Sequence, residues 1–333
     1  MPHHVECEPC LRGVIAPMLT PVNADHSLDL AGAREMCRWL ASTGAVSAVF
    51  VRSGMGRMHT FTMEEARVLA ATARDALPPG VHVVGGASGE WLGRERGERP
   101  DAGRYTAQAI ELTNAYERMG LSAAVHILPE AIAAGAENAE ERILAYFRSV
   151  HDATRIPIVL YQPAGLPPEC RLTERLLERL LDLPRIAGLK LSTTDDEVYG
   201  PIAQMVRGRP FGLICGHEGY YRRGLAQGAV GVIGQGCNGY PEVLQAVQRA
   251  HAAGDDDLAA RAEADTWRGL EITRGVDHTV ALKQVLQRKG YAVQPYDRSG
   301  GALLSETEVD RIERALDRLR EPYMAGRSAV ERA

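Results

Sequence analysis

One lysine, one tyrosine and two glycine-rich turns are the parts of this sequence best suited to chemistry. Lys190 lies in Ile186-Ala187-Gly188-Leu189-Lys190-Leu191-Ser192, an apolar run. Of the 38 Lys and Arg residues only three are lysines, the others being Lys283 and Lys289. Where a cation serves only solubility or pairing, this chain almost always uses Arg, so a lysine in an apolar strand calls for a chemical reason. Burial of an unpaired ammonium favours the neutral amine, a form that arginine does not offer. Such an amine attacks a carbonyl to form a Schiff base. The plain alternative is a lysine at a strand end, salt-bridged or reaching solvent. Tyr161 ends Pro157-Ile158-Val159-Leu160-Tyr161, where its hydroxyl can relay protons or simply stay wet at the edge of a core. Ser53-Gly54-Met55-Gly56 can aim backbone N–H groups at a carboxylate, or be only a turn. Gly234-Gln235-Gly236-Cys237-Asn238-Gly239 is the second turn of this kind.

The elements that must position these residues repeat along the chain. A short apolar run followed by an amphipathic stretch recurs roughly every 25–30 residues, the spacing of βα units. Strands are predicted at Gly13–Leu19, Ala48–Val51, His82–Gly85, Ala123–Leu128, Ile158–Tyr161, Ala187–Leu191, Gly212–Cys215 and Gly231–Ile233. Several are rich in Val, Ile and Leu without alternation, as in parallel strands covered on both faces. The stretches between them read as helices, with capping signals such as Thr62-Met63-Glu64-Glu65. Eight units predict an α/β fold, a (β/α)8 TIM barrel, in which reacting groups sit at the C-terminal ends of the strands. The runner-up, a doubly wound sheet, would place a glycine-rich nucleotide turn after its first strand; Thr20-Pro21-Val22-Asn23 stands there instead. Beyond residue 252 the pattern is helical only. The reading therefore divides the chain into an N-terminal extension (1–12), the barrel (13–252), a C-terminal helical appendage (253–325) and a tail (326–333). The polar, glycine-rich segment Ser88–Gly103 follows the third strand and is expected at the catalytic face, as a lid, an inter-subunit contact or a solvated loop.

Composition narrows the function. A net charge of −5 and a pI near 6.1 argue against a general nucleic-acid or acidic-membrane binder. The sequence carries no run long enough for a membrane span and no signal-like N-terminus, so a cytoplasmic location is expected. Cys7, Cys10, Cys37, Cys170, Cys215 and Cys237 are expected as free thiols. Cys7-Glu8-Pro9-Cys10, with His3 and His4 before it, lacks the second pair that a zinc site needs. The ten histidines show no helix or strand spacing with a carboxylate, which gives a metal-dependent aldolase no ligand set.

From about Gly13 to Leu319 the sequence resembles the dihydrodipicolinate synthase / N-acetylneuraminate lyase family of Schiff-base aldolases. Gly13-Val14-Ile15-Ala16-Pro17-Met18-Leu19-Thr20-Pro21-Val22 resembles its first strand, and Leu160-Tyr161-Gln162-Pro163 its Leu-Tyr-Asn-x-Pro motif. Gly188-Leu189-Lys190 resembles its Gly-Ile-Lys motif, and Gly228–Ile233 followed by Asn238 its eighth-strand region. The resemblance implies that Lys190 condenses with pyruvate or another 2-oxo acid and needs no cofactor or metal, that Tyr161 relays the proton, and that the Ser53, Gly54, Met55, Gly56 turn and Ile233 bind the substrate. It also implies an aldehyde as the second small molecule and a homo-oligomer, tetramer or dimer.

Three departures bear on the substrate. The family's Gly-Thr-Thr-Gly-Glu reads Ser53-Gly54-Met55-Gly56-Arg57, its Pro-Tyr-Tyr reads Pro129-Glu130-Ala131, and the arginine five positions beyond the tyrosine is Leu166. Both threonine hydroxyls, the relay tyrosine and the clamp for an acidic second substrate are thus replaced, with Glu130 as a candidate acid/base. An aldolase or hydratase-aldolase acting on a less acidic or more apolar aldehyde is expected. The alternatives are a catalytically altered barrel that binds a 2-oxo acid as sensor or scaffold, and a hydratase/dehydratase of the same family.

Overall fold

The computed structural model describes residues 6–324; the tail expected at 326–333 and the His3-His4 pair lie outside these. Eight strands form a closed parallel barrel in chain order: β1 (Gly13–Pro17), β2 (Val46–Val51), β3 (His82–Gly86), β4 (Ala123–Ile127), β5 (Ile158–Gln162), β6 (Ile186–Leu191), β7 (Gly212–Cys215) and β8 (Gly231–Val232). β8 closes on β1 through Gly13 opposite Gly231 and Val14 opposite Val232. The helices are α1 (Leu30–Ser42), α2 (Met63–Ala76), α3 (Ala102–Met119), α4 (Glu130–Ala133), α5 (Ala139–Ala153), α6 (Glu174–Leu181), α7 (Asp196–Val206), α8 (Tyr221–Ala226), α9 (Gly236–Gly239), α10 (Pro241–Ala253), α11 (Asp256–Ile272), α12 (His278–Arg288) and α13 (Glu306–Met324).

The helices start where side chains satisfy their free N–H groups. Thr62 and Glu65 form a reciprocal capping box on α2. Asp101 accepts from Arg104 N and so starts α3 at Ala102, inside the Ser88–Gly103 segment that reads as loop. β1 stops at Pro17 rather than Leu19, although Met18 N still donates to Phe50 O of β2.

Alternation along each strand divides the core in two. Val49 and Val51 of β2, Leu160 of β5 and Leu189 and Leu191 of β6 join the layer shared with the helices. Phe50, Val159, Tyr161, Ile214 and Ile233 face inward and fill the barrel. Leu11, on the short 3₁₀ turn Pro9–Leu11, plugs the N-terminal end. Gly188 and Gly212 make room for it, since a Cβ at either would come within 2.8 Å and 2.7 Å of Leu11 Cδ1.

The C-terminal helices lock onto the barrel by buried polar contacts. The Arg320 guanidinium of α13 donates to the Glu242 carboxylate of α10 from Nε at 3.0 Å and Nη2 at 2.7 Å. Both side chains are buried, and Arg320 also lies over the Trp39 ring. Lys283 of α12 is fully buried and donates from Nζ to Thr20 O at 2.6 Å and Tyr296 O at 2.8 Å. Burial pushes its amine down to about 8, partly offset by Asp297. All six cysteines are free and buried, and among the described residues no helix is long and apolar enough to cross a membrane.

Two stability predictions follow from these contacts. Arg320→Met leaves Glu242 buried and unpaired and should cost about 3–5 kcal/mol in urea unfolding, whereas Arg320→Met with Glu242→Leu should recover most of that loss. His126 is buried on the outer face of β4 between Thr113 Oγ1 at 3.1 Å and Tyr146 Oη at 2.8 Å. Desolvation pushes its ring down to about 3. The folded state thus keeps this ring neutral while the unfolded chain takes up a proton below about 6.5. Stability should therefore be full above pH 6.5 and fall as pH drops towards 4, by roughly 1 kcal/mol per unit from this ring. Urea unfolding at pH 7 and pH 5 checks this, with a shallower dependence expected for His126→Gln.

Candidate active site

Lys190 and Tyr161 face each other across β5 and β6, and a bulge puts them there. Ile158 pairs with Ile186, but Val159 pairs with Gly188, so one residue is inserted in β6 between the two pairs. Without that insertion Tyr161 would meet Leu189, whose side chain points to the helices. With it, Tyr161 meets Lys190, and both point into the barrel. The Lys190 amine lies 4.2 Å from the centroid of the Tyr161 ring and 5.9 Å from that of Phe50.

The three lysines differ in a way that singles this one out. Lys289 is ion-paired with Asp317 at 2.7 Å, and Lys283 donates to two carbonyls. Lys190 is buried at 5% exposure, and its amine has neither an ion pair nor a hydrogen bond among the described residues.

The turn after β2 is built to leave N–H groups free. Gly56 N donates to Ser53 Oγ at 3.0 Å, Arg57 N to Gly54 O at 3.1 Å and Met58 N to Ser53 O at 3.0 Å. The N–H groups of Gly54 and Met55 make no hydrogen bond among the described residues. Of the expected carboxylate-binding turn, these two are candidate donors, and Gly56 N–H is already engaged. A Cβ on Gly54 would stand 3.3 Å from Tyr161 Oη, so turn and tyrosine meet directly. Arg57 has a positive φ of 63° and ties this turn to the C-terminal region through Asp297 at 2.9 Å and Asp277 at 3.0 Å.

A cavity of about 190 Å³ opens over these groups, lined by Gly54, Tyr161, His59, Arg94, Glu130 and Leu166 among others. Lys190 is not on its wall but lies against the Tyr161 ring, which is. A larger cavity of about 730 Å³ lies at the opposite end of the barrel, beside Arg12, Phe211 and Val230, which precede β1, β7 and β8. The smaller one is the candidate site, because reacting groups in this architecture sit at the C-terminal ends of the strands.

Ser88–Gly103 is tied to the barrel by hydrogen bonds, and its Arg94 lines the smaller cavity. Arg52, buried at the end of β2 with φ 50°, donates from Nη1 to Gly86 O and Ser88 O and from Nη2 to Gly89 O. The Glu90 carboxylate accepts from Met63 N at the start of α2 and from Gln108 Nε2. Arg99 donates to Glu130 O at 3.1 Å and Ala134 O at 2.9 Å. Trp91 Nε1 donates to Glu98 O at 2.6 Å, and the Arg94 guanidinium lies 5.2 Å from the Trp91 ring centroid.

Four residues here were not singled out from sequence. Arg52 left a faint signal, a charge at the end of an apolar strand. Arg94 and His59 left none, because only folding brings them to the cavity. Glu218 is the fourth: its buried carboxylate accepts from Gly236 N at 2.7 Å and so holds the turn after β8. Ile233, expected against the substrate, lies in the same inner cluster as Tyr161. Among the described residues no group of three or more His, Cys, Asp and Glu is placed to hold a metal ion.

Comparison with known proteins agrees with this fold and places the chain in a family. A family model described as the dihydrodipicolinate synthetase family matches residues 10–319. A 4-hydroxy-tetrahydrodipicolinate synthase of Prochlorococcus marinus (strain MIT 9313) is 28% identical over 282 residues, 84% of this chain and 86% of that protein. An uncharacterised DapA-like lyase of Thermococcus kodakarensis is 28% identical over 238 residues, 70% of this chain and 73% of that protein. Among solved structures, a catalytic-lysine mutant of Ruminococcus gnavus sialic acid aldolase shares the fold with a TM-score of 0.82 at 16% identity, covering 96% of this chain and 99% of that one. YagE, an E. coli K12 prophage protein solved in complex with pyruvate, does so with a TM-score of 0.78 at 22% identity, covering 92% and 98%. With the family model spanning nearly the whole chain, this protein belongs to the dihydrodipicolinate synthetase family.

Proposed function

We propose that the protein is a Schiff-base lyase that joins pyruvate or a related 2-oxo acid to an aldehyde, or cleaves the product of that union. The observation that carries the reading is Lys190: a buried amine with no carboxylate or carbonyl partner, set against a tyrosine that borders the cavity. Membership of a family whose relatives include lyases supports it.

The Lys190 amine attacks C2 of the 2-oxo acid, and the carbinolamine loses water to give an iminium. Loss of a C3 proton gives an enamine, with the iminium as electron sink. C3 of the enamine then bonds to the aldehyde carbon, whose oxygen takes up a proton, and water releases the product and restores the amine. No metal or cofactor enters these steps. Tyr161 Oη, beside the turn at Gly54, carries protons to and from the carbinolamine. The free N–H groups of Gly54 and Met55 hold the 2-oxo acid's carboxylate, as paired backbone donors do for anions. Ser53 keeps the turn in shape through its hydroxyl. Ile233 packs in the inner apolar cluster with Tyr161, and Glu130 is the acid/base candidate on the acceptor side. By family resemblance the enzyme works as a homo-oligomer in the cytoplasm.

Pyruvate with borohydride should add one reduced pyruvyl group to the wild-type protein, located at Lys190 by peptide mass spectrometry. Lys190→Met should show no adduct and no turnover. Tyr161→Phe should still be trapped, with kcat lowered roughly 10²–10⁴-fold, the range for loss of a positioned proton-transfer group. An unmodified wild-type Lys190 would sink the reading. Ligand-dependent thermal stabilisation that survives in Lys190→Met, without turnover on any aldehyde, would favour a binding barrel instead.

A further inference from the structure

We propose that Arg94 and Glu130 act as a charge-balanced pair that selects a short, uncharged, hydroxyl-bearing aldehyde as the second substrate. The proposal rests on the Schiff-base reading above and extends it to the half of the site that the 2-oxo acid leaves free.

Arg94 comes from the loop after β3 and Glu130 from the first turn of α4, and both line the cavity beside Tyr161. Arg94 Nη2 and Glu130 Oε2 are 3.7 Å apart, close enough for their charges to offset and too far for a hydrogen bond. Neither side chain makes any other polar contact among the described residues; the guanidinium only stacks on Trp91. A guanidinium offers five N–H donors and a carboxylate only acceptors. The cavity wall thus presents donors and acceptors side by side, with no net charge.

A hydroxyl group matches that surface, because it accepts from the guanidinium and donates to the carboxylate at once. A carboxylate on the acceptor would meet Arg94 only by coming up against Glu130, and like charges at that range repel. An apolar acceptor would bury both charges with their hydrogen-bonding capacity unmet, which is costly. No second cation changes this balance. Leu166 stands on the wall where the family resemblance would place an arginine. The half-buried His59 ring is held below its ordinary range by burial first and by Arg94 and Arg52 next, so it adds no positive charge.

Size sets the other limit. The cavity measures about 190 Å³, and one of roughly 150 Å³ accepts benzene. The part of the acceptor held within it is therefore short. The pair is also held in place: Arg94 rests on Trp91, and the backbone carbonyl of Glu130 is gripped by Arg99.

The test compares kcat/KM for pyruvate with three aldehydes of similar size: glyceraldehyde, glyoxylate and propanal. In wild-type protein glyceraldehyde should be preferred over both others by about tenfold or more. Glu130→Gln leaves Arg94 uncompensated and should shift the glyoxylate-to-glyceraldehyde ratio at least about tenfold towards glyoxylate, through KM. Arg94→Gln should shift it the other way. A purely acid/base role for Glu130 would instead lower kcat for all three alike and leave the ratio unmoved. A wild-type preference for glyoxylate or propanal would overturn the proposal, as would a ratio that stays within about twofold in both variants. Borohydride trapping with pyruvate alone is read on each protein. If trapping succeeds and the ratios do not move, this proposal fails by itself; if wild-type Lys190 is not trapped, the Schiff-base reading falls and this one with it.

Discussion

The inserted residue between the Ile158–Ile186 and Val159–Gly188 pairs sets the geometry of the candidate site, because it decides which face of β6 meets the tyrosine of β5. Strand side chains alternate with a period of two, so a shift of one residue exchanges inside for outside. With the insertion, Lys190 points into the barrel with its amine over the Tyr161 ring; in unbroken register Leu189 would stand opposite that ring. The rest of the site is arranged around this contact. The turn after β2 reaches Tyr161 at Gly54, and the cavity opens over the tyrosine.

Two sets of polar groups have different work. One set is bonded inside the protein and holds the frame. Lys283 and Arg52 donate to backbone carbonyls, Arg320 is paired with Glu242, Arg57 reaches Asp277 and Asp297, and Glu218 accepts from Gly236 N. Buried polar groups in folded proteins are normally satisfied in this way. The other set is left open at one end of the barrel: the Lys190 amine, the Gly54 and Met55 N–H groups, and the side chains of Tyr161, Arg94 and Glu130. Open donors and acceptors gathered on and beside one cavity are what a ligand requires, and the first set supplies the rigidity that keeps the second in place.

Much of the architecture was legible in the residues. The strands are apolar because helices cover one face and the barrel interior the other, so they stand out as short Val/Ile/Leu runs. Helix starts were legible where the cap is local, as at Thr62 and Glu65. Two boundaries were not legible. Asp101 starts α3 from within a stretch whose polar composition reads as loop, and β1 stops short although Met18 still bonds across to β2. The departures at Met55, Glu130 and Leu166 could be read as losses, but their replacement could not: Arg94 lies 36 residues before Glu130, in a segment without periodicity.

By itself the sequence determined the repeating βα pattern, and through it the end of the barrel at which Lys190, Tyr161 and the Ser53–Gly56 turn would gather. Periodicity and residue type are local properties, and these conclusions need nothing more. Tertiary structure alone decided three further matters: that Lys190 lacks the partners Lys283 and Lys289 have, that Gly54 and Met55 rather than Gly56 keep free N–H groups, and that Arg94 is countered by Glu130. Each depends on which atoms from distant parts of the chain come within hydrogen-bonding or ion-pairing range. Barrel closure sets those distances, and the order of residues does not.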